Sequence, residues 1–213
     1  MAQRLPYFTI GHSTLSVDEL AARLRAAGVT RLIDVRTIRR SRSNPQFNEG
    51  TLPQALATQG IAYEAMADLG GRRGRQRTVA PEVNGFWDNA SFHNYADWAL
   101  QPPFRAALQE LRDKGQRERC AVMCAEAVWW RCHRRIIADH LLAAGETVRH
   151  IMDGHVVDAT LNPGARVQAD GRVSYPASTG GADRHPVCRR AQRAAAPARP
   201  RRSAESTSAP ARS

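Results

Sequence analysis

Apolar runs of strand length alternate with amphipathic stretches of helical period along most of the chain. "YFTIGHS" is an apolar run ending in Gly and polar residues, and it predicts a first strand. "SVDELAARLRAAG" carries helical spacing: Ser16 is placed to cap, Glu19 sits three residues later, Leu20 and Leu24 share a face, and Gly28 ends it. "TRLIDVR" predicts a buried strand. "TLPQALATQG" predicts a helix capped by Thr51 and ended by Gly60, and "IAYEAMADLGG" a strand that runs into a Gly pair. Residues Arg72 to Asn89 are rich in Gly, Arg and Pro, follow neither period, and predict a loop. "SFHNYADWAL" and "PPFRAALQELRDKG" predict helices, the second with Pro102 and Pro103 in its first turn. "RCAVMCAE" predicts a strand, "CHRRIIADHLLAAG" a helix with Ile136, Ile137, His140 and Leu141 near one face, and "TVRHIMD" the last core strand. Past Asp153 the pattern weakens, and "VQADGRVSYP" predicts a small hairpin turning at Asp170-Gly171.

Strands that alternate with helices predict an α/β fold: three layers, a mostly parallel sheet with helices on both faces, Rossmann-like in architecture. Its expected extent is residues 1–176. Residues 177–213 are Ala, Pro, Arg and Ser-rich and offer too little apolar surface to offset the entropy of ordering, so they predict a disordered tail. In a sheet of this kind ligands bind beyond the carboxyl ends of the strands. That edge gathers His12 and Ser13 after the first strand, and Asp34 and Arg36 after the second. It also gathers Gly70 and Gly71 after the third, and Cys124 and Glu126 after the fourth. The convergence of four strand ends, rather than any one motif, predicts a site there.

Charge adds a partner class to this picture. The formal net charge is +11, carried almost wholly by arginine, since Lys114 is the only lysine. Such a balance points to an anionic partner: nucleic acid or a phosphate-bearing small molecule. Eight arginines against Asp183 and Glu205 lie between Asp183 and Ser213, so about half of the excess belongs to the tail. No apolar run approaches the roughly 20 residues of a bilayer span, which predicts no membrane partner. "MAQRLPYFTIGHS" has no signal-peptide apolar core, and Cys120, Cys124, Cys132 and Cys188 are irregularly spaced. The expectation is a cytoplasmic protein with free thiols.

"MCAEAVWWRCHRR" concentrates the candidate chemistry. Cys124 leaves a strand, and Cys132-His133 opens a helix beside Arg131, Arg134 and Arg135. Cations and a helix N-terminus favour thiolate, and Glu126 is a general acid or base candidate. A cysteine phosphatase needs five residues between its cysteine and arginine; "AEAVWW" between Cys124 and Arg131 is one too many and has no glycine. Cys124, Cys132 and His133 offer three metal ligands. Adjacent Cys132 and His133 are expected to point to different sides of the helix start, so no metal is assigned and no cofactor is implied; a divalent ion at these three is the minority reading. Arg36, Arg39, Arg40 and Arg42 fall within seven residues and form an anion attractor, or a solvated charged face. Asp34 is either a catalytic carboxylate or a pin for Arg36. His12 is a proton carrier or a structural histidine. Gly70-Gly71 suits a tight turn whose backbone approaches an anion. Trp129 and Trp130 suit base stacking, or lids on the core.

"TIGHS", "DVR" followed by "SRSNPQFN", "GIAYEAMADLGG", "YADW" and "MCAEAVWWRCHRR" together, in order from about Phe8 to Ile151, resemble the bacterial domain-of-unknown-function family 488. The resemblance implies an α/β fold and brings no settled activity. It carries the family's signature onto His12, Ser13, Asp34, Arg36, Ser41, Arg42, Pro45, Phe47, Gly70, Gly71, Cys124, Glu126, Cys132, His133 and Arg134. The chain departs from the family pattern at Ile38-Arg39, where a proline is usual, and in "GHVVDATLNPGA". The leading expectation is an enzyme acting on a nucleotide or a base in nucleic acid, by hydrolysis or group transfer. Asp34, Glu126, Cys124, Cys132, His133 and His12 would be its catalytic candidates. Ser13, Arg36, Ser41, Arg42, Gly70, Gly71, Trp129, Trp130 and Arg134 would line the substrate. The competing expectations are a non-catalytic sensor for an anionic metabolite or nucleic acid, and a Cys/His metal protein.

Overall fold

The central strands are buried at nearly every position, as expected of a sheet with helices on both faces. The computed structural model describes residues 4–177; Cys188 and the predicted tail from 178 onward lie outside the described residues. Strands β1 (Tyr7–Gly11), β2 (Arg31–Asp34), β3 (Ala62–Ala65), β4 (Cys120–Cys124), β5 (Val148–Ile151) and β6 (Val156–Asp158) form a six-stranded sheet in the order β3-β2-β4-β1-β5-β6. All pairings are parallel except β5 with β6, which is antiparallel. The fold is therefore α/β with a mostly parallel sheet. "TVRHIMD" is not the last strand of that sheet: the chain turns at Gly154, whose φ is +75°, and returns as the edge strand β6. A short β7 (Arg166–Val167) and β8 (Val173–Ser174) pair antiparallel as the expected hairpin, with Gly171 at φ +78°.

One face is covered by α1 (Val17–Ala26) and α2 (Leu52–Ala57). Leu20, Leu24, Leu52 and Leu56 meet Phe8, Ile10, Leu32, Ala121 and Met123 of the strands. The other is covered by α3 (Ala90–Ala99), α4 (Pro102–Gly115) and α5 (Arg134–Ala143), whose Tyr95, Phe104, Leu111, Ile136 and Leu141 meet Tyr7, Ile33, Cys120, Val122 and Val148. Successive strand residues point to opposite faces. Asp34 therefore follows Leu32 to the α1–α2 side, and Cys124 follows Cys120 and Val122 to the α3–α5 side.

Local signals act as their chemistry dictates, with one exception. Ser16 and Glu19 form the reciprocal capping box, Ser16 Oγ accepting from Glu19 N at 3.1 Å and Ser16 N donating to Glu19 at 2.7 Å. Thr51 does not cap α2. Its backbone is in the αR region (φ −119°, ψ −42°) rather than the extended conformation of a cap, and its hydroxyl donates to the Asn48 carbonyl at 3.1 Å.

Candidate functional site

The polar residues at the strand ends assemble into two separate groups, one on each side of the sheet. On the α1–α2 side, Asp34 is fully buried and the Arg36 side chain is 4% exposed. Arg36 Nε donates to Asp34 Oδ1 at 2.9 Å, and Nη2 donates to Asp34 Oδ2 at 2.6 Å and to the Phe47 carbonyl at 2.7 Å. Tyr63 donates its hydroxyl to Asp34 Oδ2 at 2.8 Å. Burial, then the Asp34 carboxylate, hold the Tyr63 phenol above its ordinary range. His12 stacks on the Phe47 ring at 4.0 Å, with Nε2 3.2 Å from Arg36 Nη1 and Nδ1 3.0 Å from the Ser13 carbonyl. Burial and then the Arg36 guanidinium lower His12 to about 4, so at neutral pH the ring is uncharged. The neutral tautomer with Nδ1–H serves both neighbours. Asp34 pins Arg36, and the hydrogen-bonding capacity of Asp34, Arg36 and His12 is directed at protein partners.

The α3–α5 side is different. Cys124 is half-buried at the end of β4, Cys132 is buried, and both sulfurs face the His133 ring: Nδ1 lies 4.0 Å from Cys124 Sγ and 3.6 Å from Cys132 Sγ. All three donor atoms lie within 4.8 Å of one another. Cys132 and His133 do not diverge, contrary to the expectation for adjacent residues at a helix start. Cys132 is still extended (φ −127°, ψ 148°), while His133 already has helical angles (φ −58°, ψ −17°), and the change of backbone between them turns both side chains toward Cys124. Arg134 Nε donates to Cys132 Sγ at 3.2 Å, and its Nη2 donates to the Glu126 carbonyl. Hydrogen bonding to Cys124, then to His133, with the Arg134 charge beyond, pulls Cys132 well below the ordinary thiol range, while sharing with Cys132 and burial push Cys124 up. His133 Nε2 is buried and has no partner among the described residues.

Gly71 and Tyr95 frame the cluster. A Cβ at Gly71 would sit 2.8 Å from His133 Nδ1, so only glycine leaves room for the ring. Tyr95 meets the same ring edge-on at 4.9 Å and donates its hydroxyl to the Leu69 carbonyl at 2.7 Å. Gly70 is tight against the Ala67 carbonyl, and Thr37 donates to the Gly71 carbonyl. Gly11 is paired with Cys124 across β1 and β4, and a Cβ there would lie 1.9 Å from the Glu126 carbonyl oxygen. The loops after β1 and β4 are sewn together by His12 N to Cys124 O and Ser13 N to Ala125 O, each 3.0 Å, with Ser13 at φ +45°.

The remaining candidates are distributed around this edge. The Glu126 side chain is exposed. Ser41 accepts from Asn44 N at 3.1 Å and its own N–H donates to Asn48 Oδ1 at 2.7 Å, so it shapes the loop that carries exposed Arg42. Arg39 and Arg40 both pair with Glu49, at 3.4 and 3.0 Å. Trp129 stacks on His150 at 4.3 Å and is used in packing; Trp130 meets Trp129 edge-on at 5.6 Å. Sequence reasoning missed Tyr63, Thr37 and Tyr95 as supports, and Arg73, which lies 4.0 Å over the Trp98 ring. The alternation in "IAYEA" was the available signal for Tyr63; the others depend on loop paths. Two surface concavities, of about 440 and 240 Å³, lie between the Thr78–Asp88 loop, α3 and the hairpin, and no cluster residue lines them. The converging chemistry, rather than the size of a hollow, identifies the candidate site.

Residues 16–141 match the family model described as Domain of unknown function DUF488. The chain belongs to that family. The DUF488 match takes in Asp34 and Arg36, the Gly70-Gly71 turn and the whole Cys124–Arg134 segment, and begins after His12 and Ser13. Comparison with curated proteins and with solved structures gave no match. No helix among the described residues is long and apolar enough to cross a membrane.

Proposed function

We propose that the protein is an enzyme acting on a nucleotide, or on a base in nucleic acid, by hydrolysis or group transfer at the C-terminal edge of the sheet. The observation that carries this reading is the meeting of Cys124, Cys132 and His133 there, next to Gly71, within 4.8 Å. Buried polar groups left short of partners are costly and are retained where chemistry needs them. An anionic substrate is favoured by Arg42, Arg72, Arg75, Arg77 and Arg131, which are exposed and, among the described residues, have no carboxylate within ion-pair distance. Arg42 and Arg72 hold phosphate in this reading, Glu126 exchanges a proton with the reacting group, and Trp130 offers a face to the base. Asp34, Arg36 and His12 act as a brace beneath the loops rather than as reacting groups.

Thermal shift of the full chain against nucleotides, nucleosides and short single-stranded DNA tests it, since a ligand of the folded state raises the midpoint. The expected result is a shift that shrinks in Arg42→Ala and Arg72→Ala, followed by product formation that is lost in Glu126→Gln. A cooperative melt that no nucleotide, nucleoside or DNA moves would overturn the reading. A shift without turnover would replace it with a sensor of the same ligand.

A further inference from the structure

We propose that Cys124, Cys132 and His133 form a binding site for one soft divalent metal ion of the zinc class, with its fourth position open. The donor chemistry is the first ground. Two sulfurs and an imidazole nitrogen are the ligands that zinc-class ions select over the hard cations. Among the described residues, no other group of three such side chains brings its donor atoms so close.

Distance is the second ground. Tetrahedral bonds of about 2.3 Å to sulfur and 2.0 Å to nitrogen set S and N roughly 3.6 Å apart. Here the two S to Nδ1 separations are 3.6 and 4.0 Å, and all three donor atoms lie within 4.8 Å, so the nitrogen side of the site needs only a few tenths of an ångström from Cys124. The third ground is support. Arg134 Nε donates to Cys132 Sγ at 3.2 Å, the kind of hydrogen bond that orients a ligating sulfur. Glycine at position 71 keeps the space in front of Nδ1 clear, and Tyr95 holds the ring edge-on. Three protein ligands with a fourth position left for water or a substrate atom are the pattern of catalytic rather than purely structural zinc. That last role rests on the hydrolytic reading above; the binding of the ion does not.

The test uses the full chain without a histidine tag, stripped with a chelator and titrated with Co²⁺ and Zn²⁺. The expected result is one ion per chain, an intense tetrahedral Co²⁺ spectrum with a thiolate-to-cobalt charge-transfer band, and a higher melting midpoint with Zn²⁺. Cys124→Ser, Cys132→Ser and His133→Gln should each weaken Co²⁺ by more than the roughly 10–100-fold that follows losing a hydrogen bond to a ligand. Cys188→Ser should bind as wild type. A cooperatively melting protein with no charge-transfer band, or Co²⁺ binding undiminished in Cys124→Ser and Cys132→Ser, would overturn the site. Repeating the nucleotide thermal shift on the stripped and Zn²⁺-loaded protein separates the two proposals. Stoichiometric metal without any nucleotide shift supports the ion site and sinks the enzyme reading. A nucleotide shift in a protein that takes up no metal does the reverse.

Discussion

Asp34–Arg36 and Cys124–Cys132–His133 stand at the ends of neighbouring strands, yet they differ in how their polar atoms are used. In the first group the charge pair is buried and its hydrogen-bonding groups meet Tyr63, His12, the Phe47 carbonyl or one another. In the second, two thiols meet one imidazole whose buried Nε2 has no partner among the described residues. Both carry residues typed as catalytic by habit. Saturation marks the first as a brace that fixes the loop after β2; in the second, two thiols and an imidazole converge within 4.8 Å, and that convergence is what the proposed ion or substrate would use.

Breaking the brace should have the largest effect. Asp34→Ala leaves the Arg36 guanidinium buried and unpaired, and should cost about 3–5 kcal/mol in chemical denaturation. Replacing Asp34 and Arg36 together with apolar residues of similar volume should recover most of that loss. If the single and double variants are equally unstable, the pair is not the brace described here. A second buried carboxylate sharpens the point by lacking a paired guanidinium. Asp139 accepts from Tyr175 Oη at 2.8 Å and from Asn162 N at 2.9 Å, and burial pushes it up to about 6. Its folded pKa lies above its unfolded value near 3.9, so this group's contribution is fully present below about pH 4 and fades as pH rises through about 6. The swing should amount to up to about 3 kcal/mol. Denaturation curves of wild type and Asp139→Asn from pH 4 to 7 should converge at the acid end and separate above it, with the variant lacking the decline; parallel curves would rule out the account.

Gly71→Ala addresses the open group. Its Cβ must displace the His133 ring, which should cost roughly 1–3 kcal/mol and pull Nδ1 away from the sulfurs. Thiol modification rates of Cys124 read this out: they should change in Gly71→Ala and stay at the wild-type value in Gly74→Ala, where an added Cβ meets nothing within 4 Å. The smallest stability effect belongs to Arg42→Ala. The side chain is exposed, so the melting midpoint should hold within about 0.5 kcal/mol while binding of an anionic ligand weakens. Comparable losses of stability and of binding would make Arg42 a structural residue.

Much of the fold was legible because its signals are local. Apolar runs of strand length and period-3.6 patterns named the strands and helices, the Ser16–Glu19 box and Gly28 bounded α1, and Asp170-Gly171 turned the hairpin. The strand ends also named the candidate residues as one set. The edge strand β6 escaped notice because "HVVD" is short and only partly buried. The divergence of Cys132 and His133 was expected from helix geometry, and failed because Cys132 precedes the helix in an extended conformation.

The amino-acid sequence by itself determined the α/β alternation, the family and the list of side chains at the strand ends, because hydrophobic period, capping and turn chemistry act over a few residues. Only the tertiary structure decided that β4 lies between β2 and β1, that strand parity sends Asp34 to one face and Cys124 to the other, and that Phe47, Tyr63 and His12 complete one group while Gly71 and Tyr95 frame the other. The physical reason is that saturation of a buried polar atom is a property of its neighbours in space, and those neighbours come from segments tens of residues apart in the chain.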